Sequence, residues 1–253
     1  MSECDVKLEE MNREIKRCTR CRLSETRTHA LCGEGNVNAK LFLVAQAPGE
    51  NEDREGKMFI GPSGKVLDGL FASIGMEKHT FYMTNLVKCM LPHCRKPKQD
   101  EIEACSRYLD REIEIIGSEV LVPLGYYATK YLFEKYTLAE GTRAEFKDVY
   151  GKVLYQSGKN ILPLPHPAVL IHTPSLRKAV TENYRKLKVV SADCKWYPVC
   201  PMKRFYEQGK LSFEWIARYC RGDWERCVRF QMEERGEYHP DRMLPDGTVD
   251  EEL

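Results

Sequence analysis

Apolar positions along this chain fall into short unbroken runs separated by stretches of helical period. "KLFLVAQAP" (40–48) opens on a continuous apolar run, the pattern of a strand covered on both faces. "TFYMTNLVK" (80–88), "EVLVPLG" (119–125) and "NILPLPHP" (160–167) predict three more strands, the last broken by prolines where it meets a loop. Between them the period changes. In "PSGKVLDGLFASIG" (62–75), Val66, Leu67, Leu70, Phe71 and Ile74 form one helical face, with Ser63 as the expected N-cap and Gly75 at the C-terminal stop. Residues 5–17, 99–117, 126–136 and 174–190 also read as helices. This alternation predicts an α/β fold, three-layer α/β/α, around a mostly parallel four-stranded sheet. In open α/β sheets the working loops lie at the carboxyl ends of the strands. Here those loops are "AQAPGENEDREGKMFIGPSG", "NLVKCMLPHC" and "PHPAVLIHTPS".

After about residue 190 the alternation stops. Residues 191–253 hold four cysteines and all three tryptophans, with no strand-like run. The expected organisation is a domain over 1–190 and a small Cys-rich, mainly helical appendage over 191–253.

Composition narrows the setting. No apolar run approaches the ~20 residues a membrane helix needs, so no membrane partner is expected. The charged N-terminus "MSECDVKLEEMNREIKRC" has no apolar core of a signal peptide, which predicts a cytoplasmic protein, taken as a monomer. The net charge of +1 does not announce a nucleic-acid binder, but "HCRKPK" and "LRKAV" with "NYRKLK" are locally basic.

The eleven cysteines change the picture most. A reducing compartment disfavours disulfides, so metal or cluster ligation is the better reading. Cys18 and Cys21 form a CxxC after a helix, not after the strand of a redox βαβ unit. Together with Cys89 and Cys105 far downstream they can close a four-sulfur site, for zinc or an iron–sulfur cluster; spacing alone does not choose. The tail repeats the pattern as Cys194-x5-Cys200-x19-Cys220-x6-Cys227, a candidate second metal or cluster site, which would also stabilise a unit too small for a large core. Cys94 is a spare thiol or an alternate ligand.

Five pieces then fall in a fixed order: "CTRCRLSETRTHALCGEGN", "AQAPGENEDREGKMFIGPSGKVLDGLF", "TNLVKC", Cys105 and "PHPAVL". Over roughly residues 10–190 the chain resembles the family 4 (iron–sulfur) uracil-DNA glycosylases. The resemblance implies a uracil-DNA glycosylase fold and a structural [4Fe-4S] cluster on Cys18, Cys21, Cys89 and Cys105. It also implies hydrolytic removal of uracil from single- or double-stranded DNA.

The roles it implies have physical reasons. A base hidden in a duplex must be flipped into a pocket, and Phe59 matches the family's stacking platform. Asn85 matches the base reader, since an amide both donates and accepts. Glu52 matches the acidic residue that excludes the thymine methyl, and the Ala47-Pro48-Gly49 backbone cradles the uracil edge. His166 matches the donor to a uracil oxygen as charge moves onto the leaving base. Leu170, in the loop that enters the minor groove, is the expected wedge, Val169 the second choice. Ser63 is expected at a phosphate. Arg95, Lys96 and Lys98 lie between two cluster ligands and are expected to face DNA phosphates. One position departs from the family: Gln46 stands where a glutamate is usual. An amide positions a water but takes no proton, so Glu50 becomes a second candidate for handling it. Gln46 also leaves open a catalytically weak nucleic-acid-binding module of the same fold, or a glycosylase for another modified base.

Overall fold

The computed structural model describes residues 3–138 and 148–253. Its centre is a six-stranded sheet in the order β1-β3-β2-β4-β6-β5. The strands are β1 (Glu34–Gly35), β2 (Leu41–Ala45), β3 (Phe81–Asn85), β4 (Val120–Pro123), β5 (Leu154–Gln156) and β6 (Lys159–Ile161). The four inner strands run parallel, as the sequence pattern predicts. The expected count of four is corrected to six: β1 and β5 add to the two edges, both antiparallel. Neither carries the apolar run that betrays a buried strand. β1 is two exposed residues and β5 is half-buried throughout, so backbone pairing alone defines them.

Strand alternation sorts the core into two layers. Phe42 and Val44 of β2 join Tyr82, Leu121 and Ile161 on one face, beneath helices α1 (Glu3–Lys16), α4 (Gln99–Ile116) and α5 (Tyr126–Lys135). Leu41, Leu43 and Ala45 point the other way, with Phe81, Met83, Val120 and Val122. That face is covered by α3 (Pro62–Ser73) and α7 (Arg177–Ser191), through Leu67, Leu70, Phe71, Val180, Tyr184 and Leu187. Short helices α2 (Glu50–Glu55) and α6 (Val169–His172) sit in the loops after β2 and β6. The chain is thus an α/β/α sandwich. Among the described residues no helix is long and apolar enough to cross a membrane.

Beyond α7 come α8 (Pro201–Glu207), α9 (Phe213–Trp215) running into a π-turn over Ile216–Cys220, and α10 (Val228–Arg235). They enclose a separate small core of Met202, Phe205, Leu211, Ile216, Leu244 and Leu253. This segment docks at the amino ends of the parallel strands. Asn160 Nδ2 donates to Ala217 O at 2.9 Å, Arg221 Nη2 pairs with Glu119 Oε1 at 2.6 Å, and Lys40 Nζ meets Asp193 Oδ1 at 2.9 Å. Lys40 and Glu119 immediately precede β2 and β4.

Candidate active site

The opposite, carboxyl ends of the parallel strands carry the residues singled out in the sequence. β2 and β3 stay in register to their last residues, where Ala45 faces Asn85. The pairing continues one step into the loops, with Leu86 N donating to Ala45 O and Val87 N to Gln46 O. Gln46 is thereby held at its backbone while its side chain stays half-buried. On the other side Leu124 bridges Leu164, and Gly125 N donates to Leu164 O at 2.8 Å. That contact brings Gly125, in a left-handed conformation (φ 80), against His166; a Cβ on Gly125 would sit 3.0 Å from His166 Cβ.

Glu52 is buried on α2 and organises the turn between α2 and α3. Its Oε1 accepts the Gly61 N–H at 2.7 Å. A Cβ on Gly49 would lie 2.6 Å from Glu52 Oε2, and one on Gly61 3.0 Å from Oε1, so two glycines make room for this carboxylate. The cap of α3 is therefore Gly61 with Pro62 at the first helical position, and the expectation that Ser63 is the N-cap is corrected. Ser63 is the second helical residue, half-buried. Phe59 precedes this turn with φ 51, a conformation that costs a bulky residue about 1–3 kcal/mol and clusters at functional sites. Two contacts hold it there. Lys78 Nζ donates to Phe59 O at 3.0 Å, and Gly64 packs so tightly that a Cβ would fall 1.8 Å from the same oxygen. Asn85 is buried beside Met58 and donates to its Sδ at 3.1 Å. Glu50, the first residue of α2, is exposed, as is Gly49; Ala47 is half-buried.

His166 is half-buried, and its ring is set deep enough that desolvation pushes its pKa down to about 4, with the nearby Glu52 carboxylate opposing only in part. The ring is neutral at physiological pH. Its Nδ1 accepts the Ala168 N–H at 3.2 Å, which leaves the ring proton on Nε2.

The arm before β1 and the loop after β3 meet at a second centre. Cys18, Cys21, Cys89 and Cys105 line one cavity, together with Arg27, Lys88 and Tyr108. Arg27 Nη1 donates to Cys89 Sγ and the Lys88 backbone N–H to Cys105 Sγ, each at 3.1 Å. Burial raises the Cys89 thiol pKa, against the pull of Arg27, and raises Cys105 to about 12 against that of Lys88. Lys88 leads away from the cavity into a fully buried ion pair, its Nζ 2.5 Å from Glu112 Oε2 and bonded to Thr84 Oγ1. Glu112 also accepts from Thr84 Oγ1 and the Gly33 N–H. Asp53 ties α2 to the arm, accepting the Thr28 and His29 N–H groups. Arg27, Lys88, Glu112 and Asp53 went unnoticed in the sequence because a lone charged residue has no pattern that marks it as buried.

Two expectations meet a different structure. Arg95 forks onto Glu101 at 2.5 and 2.8 Å, so it pins its own loop to α4 instead of standing free for phosphate. Lys96 and Lys98 remain exposed, and Cys94 is exposed beside His93, both with positive φ. Leu170 is turned into the core with Leu67 and Val180, because a four-residue helix buries one side. Val169 is half-buried, and the exposed apolar residue of α6 is Ile171, at 43 %.

Comparison with known proteins places the chain in a family. The family model described as the uracil DNA glycosylase superfamily matches residues 32–188. A type-4 uracil-DNA glycosylase from Sulfurisphaera tokodaii is 41 % identical over 197 residues, 76 % of this chain and 88 % of that protein. Type-4 enzymes from Archaeoglobus fulgidus (35 % identical; 71 % of this chain, 91 % of theirs) and Thermotoga maritima (34 %; 72 % and 93 %) are similar to it over the same extent. The chain belongs to the type-4 uracil-DNA glycosylase family within that superfamily.

Proposed function

We propose that the chain is a monofunctional uracil-DNA glycosylase that hydrolyses the bond between uracil and deoxyribose, as a cytoplasmic monomer of base-excision repair. The observation that carries this reading is the neutral, Nδ1-anchored His166 beside Glu52 at the strand ends that also present Asn85. Bond cleavage moves negative charge onto the departing base. A neutral imidazole donating from Nε2 stabilises that charge without first having to lose a proton; such a donor is worth about 2.7–4 kcal/mol in rate. Phe59 stacks on the flipped base, and its strained backbone fixes the ring plane. Asn85 reads the uracil edge once its amide exchanges the Met58 sulfur for the base. Glu52, wedged between Gly49 and Gly61, fills the space a thymine methyl would need. Gln46 positions the water, and Glu50, exposed nearby, is the carboxylate able to take its proton.

Cys18, Cys21, Cys89 and Cys105 fit a [4Fe-4S] cluster: four thiols lining one cavity, two of them already accepting N–H bonds of the kind that tune cluster sulfurs. A cluster bound by these four residues would tie arm, loop and α4 together and so fix the segment bearing Lys96 and Lys98. Those lysines supply phosphate contacts, with Ser63 at the start of α3, and Ile171 replaces Leu170 as the residue that fills the gap left by the flipped base. We assign this machinery to residues 1–190.

Gln46 favours the alternative of a weak catalyst that mainly binds DNA. One assay separates the two. The purified chain is incubated with a labelled uracil-containing oligonucleotide, and abasic sites are cleaved with alkali. Strand cleavage that drops roughly 10²–10³-fold in His166→Ala supports catalysis. Asn85→Asp should begin to excise cytosine. An intact chain that leaves every uracil substrate whole refutes the glycosylase reading.

A further inference from the structure

The last four cysteines, outside the matched region at 32–188, come together in the fold. Cys194, Cys200, Cys220 and Cys227 line one cavity, with Trp196, Arg229 and His239 among its other walls. Three of the sulfurs are buried, and Cys200 partly so. The backbone sets them there: Cys194 follows α7 and pairs its N–H with Cys220 O at 2.8 Å, while Cys200 and Cys227 directly precede α8 and α10.

Arg229 points to what the cavity takes. Its side chain is only 2 % exposed. Nη1 donates to the carbonyls of Pro240, Asp241 and Met243 at 2.8, 3.1 and 2.8 Å. Nε and Nη2 are buried without a hydrogen-bond partner among the described residues. A guanidinium buried without an anion is costly. Four cysteine thiolates around a metal centre provide the missing negative charge.

The tail sulfurs surround a cavity, as do those of Cys18, Cys21, Cys89 and Cys105, and the choice of a cluster over a single zinc ion rests on that parallel and on the [4Fe-4S] centre proposed there.

We propose that Cys194, Cys200, Cys220 and Cys227 hold a second iron–sulfur cluster of the [4Fe-4S] type, with Arg229 as its buried counter-charge. On ligation each thiol gives its proton to solvent, and the iron and sulfide come from the cell's cluster-assembly supply. The segment docks at the amino ends of the strands, so this centre lies across the sheet from the base site. Its first consequence is structural: it closes a fold whose own core is small.

The test is metal stoichiometry of the full chain purified without oxygen. Two clusters give about eight irons and eight acid-labile sulfides per chain, and one gives about four. We expect about eight in the intact protein. The Cys200→Ser/Cys220→Ser double variant should keep about four, and so should Cys89→Ser/Cys105→Ser, each with the brown colour of the remaining cluster as evidence of a retained fold. Arg229→Leu should lower iron content toward four, and Arg229→Lys should restore it in part. About four irons in the intact chain, all lost in Cys89→Ser/Cys105→Ser and none in Cys200→Ser/Cys220→Ser, would overturn the second cluster. Four irons plus one tightly held zinc that the tail variants release would overturn its identity.

Discussion

His166 shows how one side chain is tuned by its surroundings. Burial lowers its pKa to about 4, from an ordinary value of 6.5, with Glu52 opposing. The unfolded chain therefore binds more protons than the folded one between those values. Stability should fall as pH drops from about 6.5 toward 4, and the loss is complete below the folded pKa. The same depression shapes catalysis. The kcat/KM profile for uracil excision, which reports the free enzyme, should stay level through pH 6.5 and fall only near 4. A clear inflection near 6.5 in the intact chain, absent in His166→Gln, would show that the imidazole titrates normally and that the buried, neutral donor is misassigned. This residue's identity was legible in "PHPAVL"; its tautomer was not, since it depends on the Ala168 N–H folding back onto Nδ1.

Elements decide what single residues can do. The loop from Cys89 to α4 reads as uniformly basic, yet it splits in two. Arg95 is consumed by Glu101, whose carboxyl pKa is lowered chiefly by that contact, while Lys96 and Lys98 stay in solvent. Lys96→Ala and Lys98→Ala should each flatten the salt dependence of DNA binding by about one unit of the log–log slope. Arg95→Ala should leave that slope nearly unchanged and lower the melting temperature instead; equal slopes for all three variants would contradict the division. The loop after β3 and helix α4 offer a second case. Lys88 and Glu112 are fully buried against each other, and removing one partner strands the other. Glu112→Leu should destabilise the fold by roughly 3–5 kcal/mol, measured by denaturant unfolding. The double change Lys88→Met/Glu112→Leu should recover much of that loss. If the single change is silent, the pair is not closed as described.

At the scale of the whole molecule, two units share one sheet from opposite ends. The base site and the first cysteine set occupy the carboxyl ends and the flank of β3, and the Cys-rich segment grips the amino ends. Its ion pairs, such as Arg221 with Glu119, are partly exposed, so Arg221→Ala should cost under about 1 kcal/mol. Its core is another matter: Ile216 is fully buried, and Ile216→Ala should cost about 2–5 kcal/mol. Calorimetry of the two variants checks the contrast. A larger loss from Arg221→Ala would mean that the contact with the sheet, not the small core, holds the segment together.

Apolar runs and helical period were enough, in the sequence alone, to predict the four parallel strands and the helices that cover them, because such strands are buried on both faces and cannot hide their composition. Ordered motifs likewise pointed to Asn85, His166, Phe59 and the first set of four cysteines, and spacing alone to the second set. Tertiary structure alone decided the rest. Edge strands β1 and β5 arise from backbone pairing without an apolar signature. Which of Leu170 and Ile171 faces out depends on the one-turn phase of α6 against α3. Arg27, Lys88, Asp53 and Arg229 became meaningful only once distant segments enclosed them. A charged side chain looks the same in sequence whether water or a buried partner surrounds it, and the fold determines which.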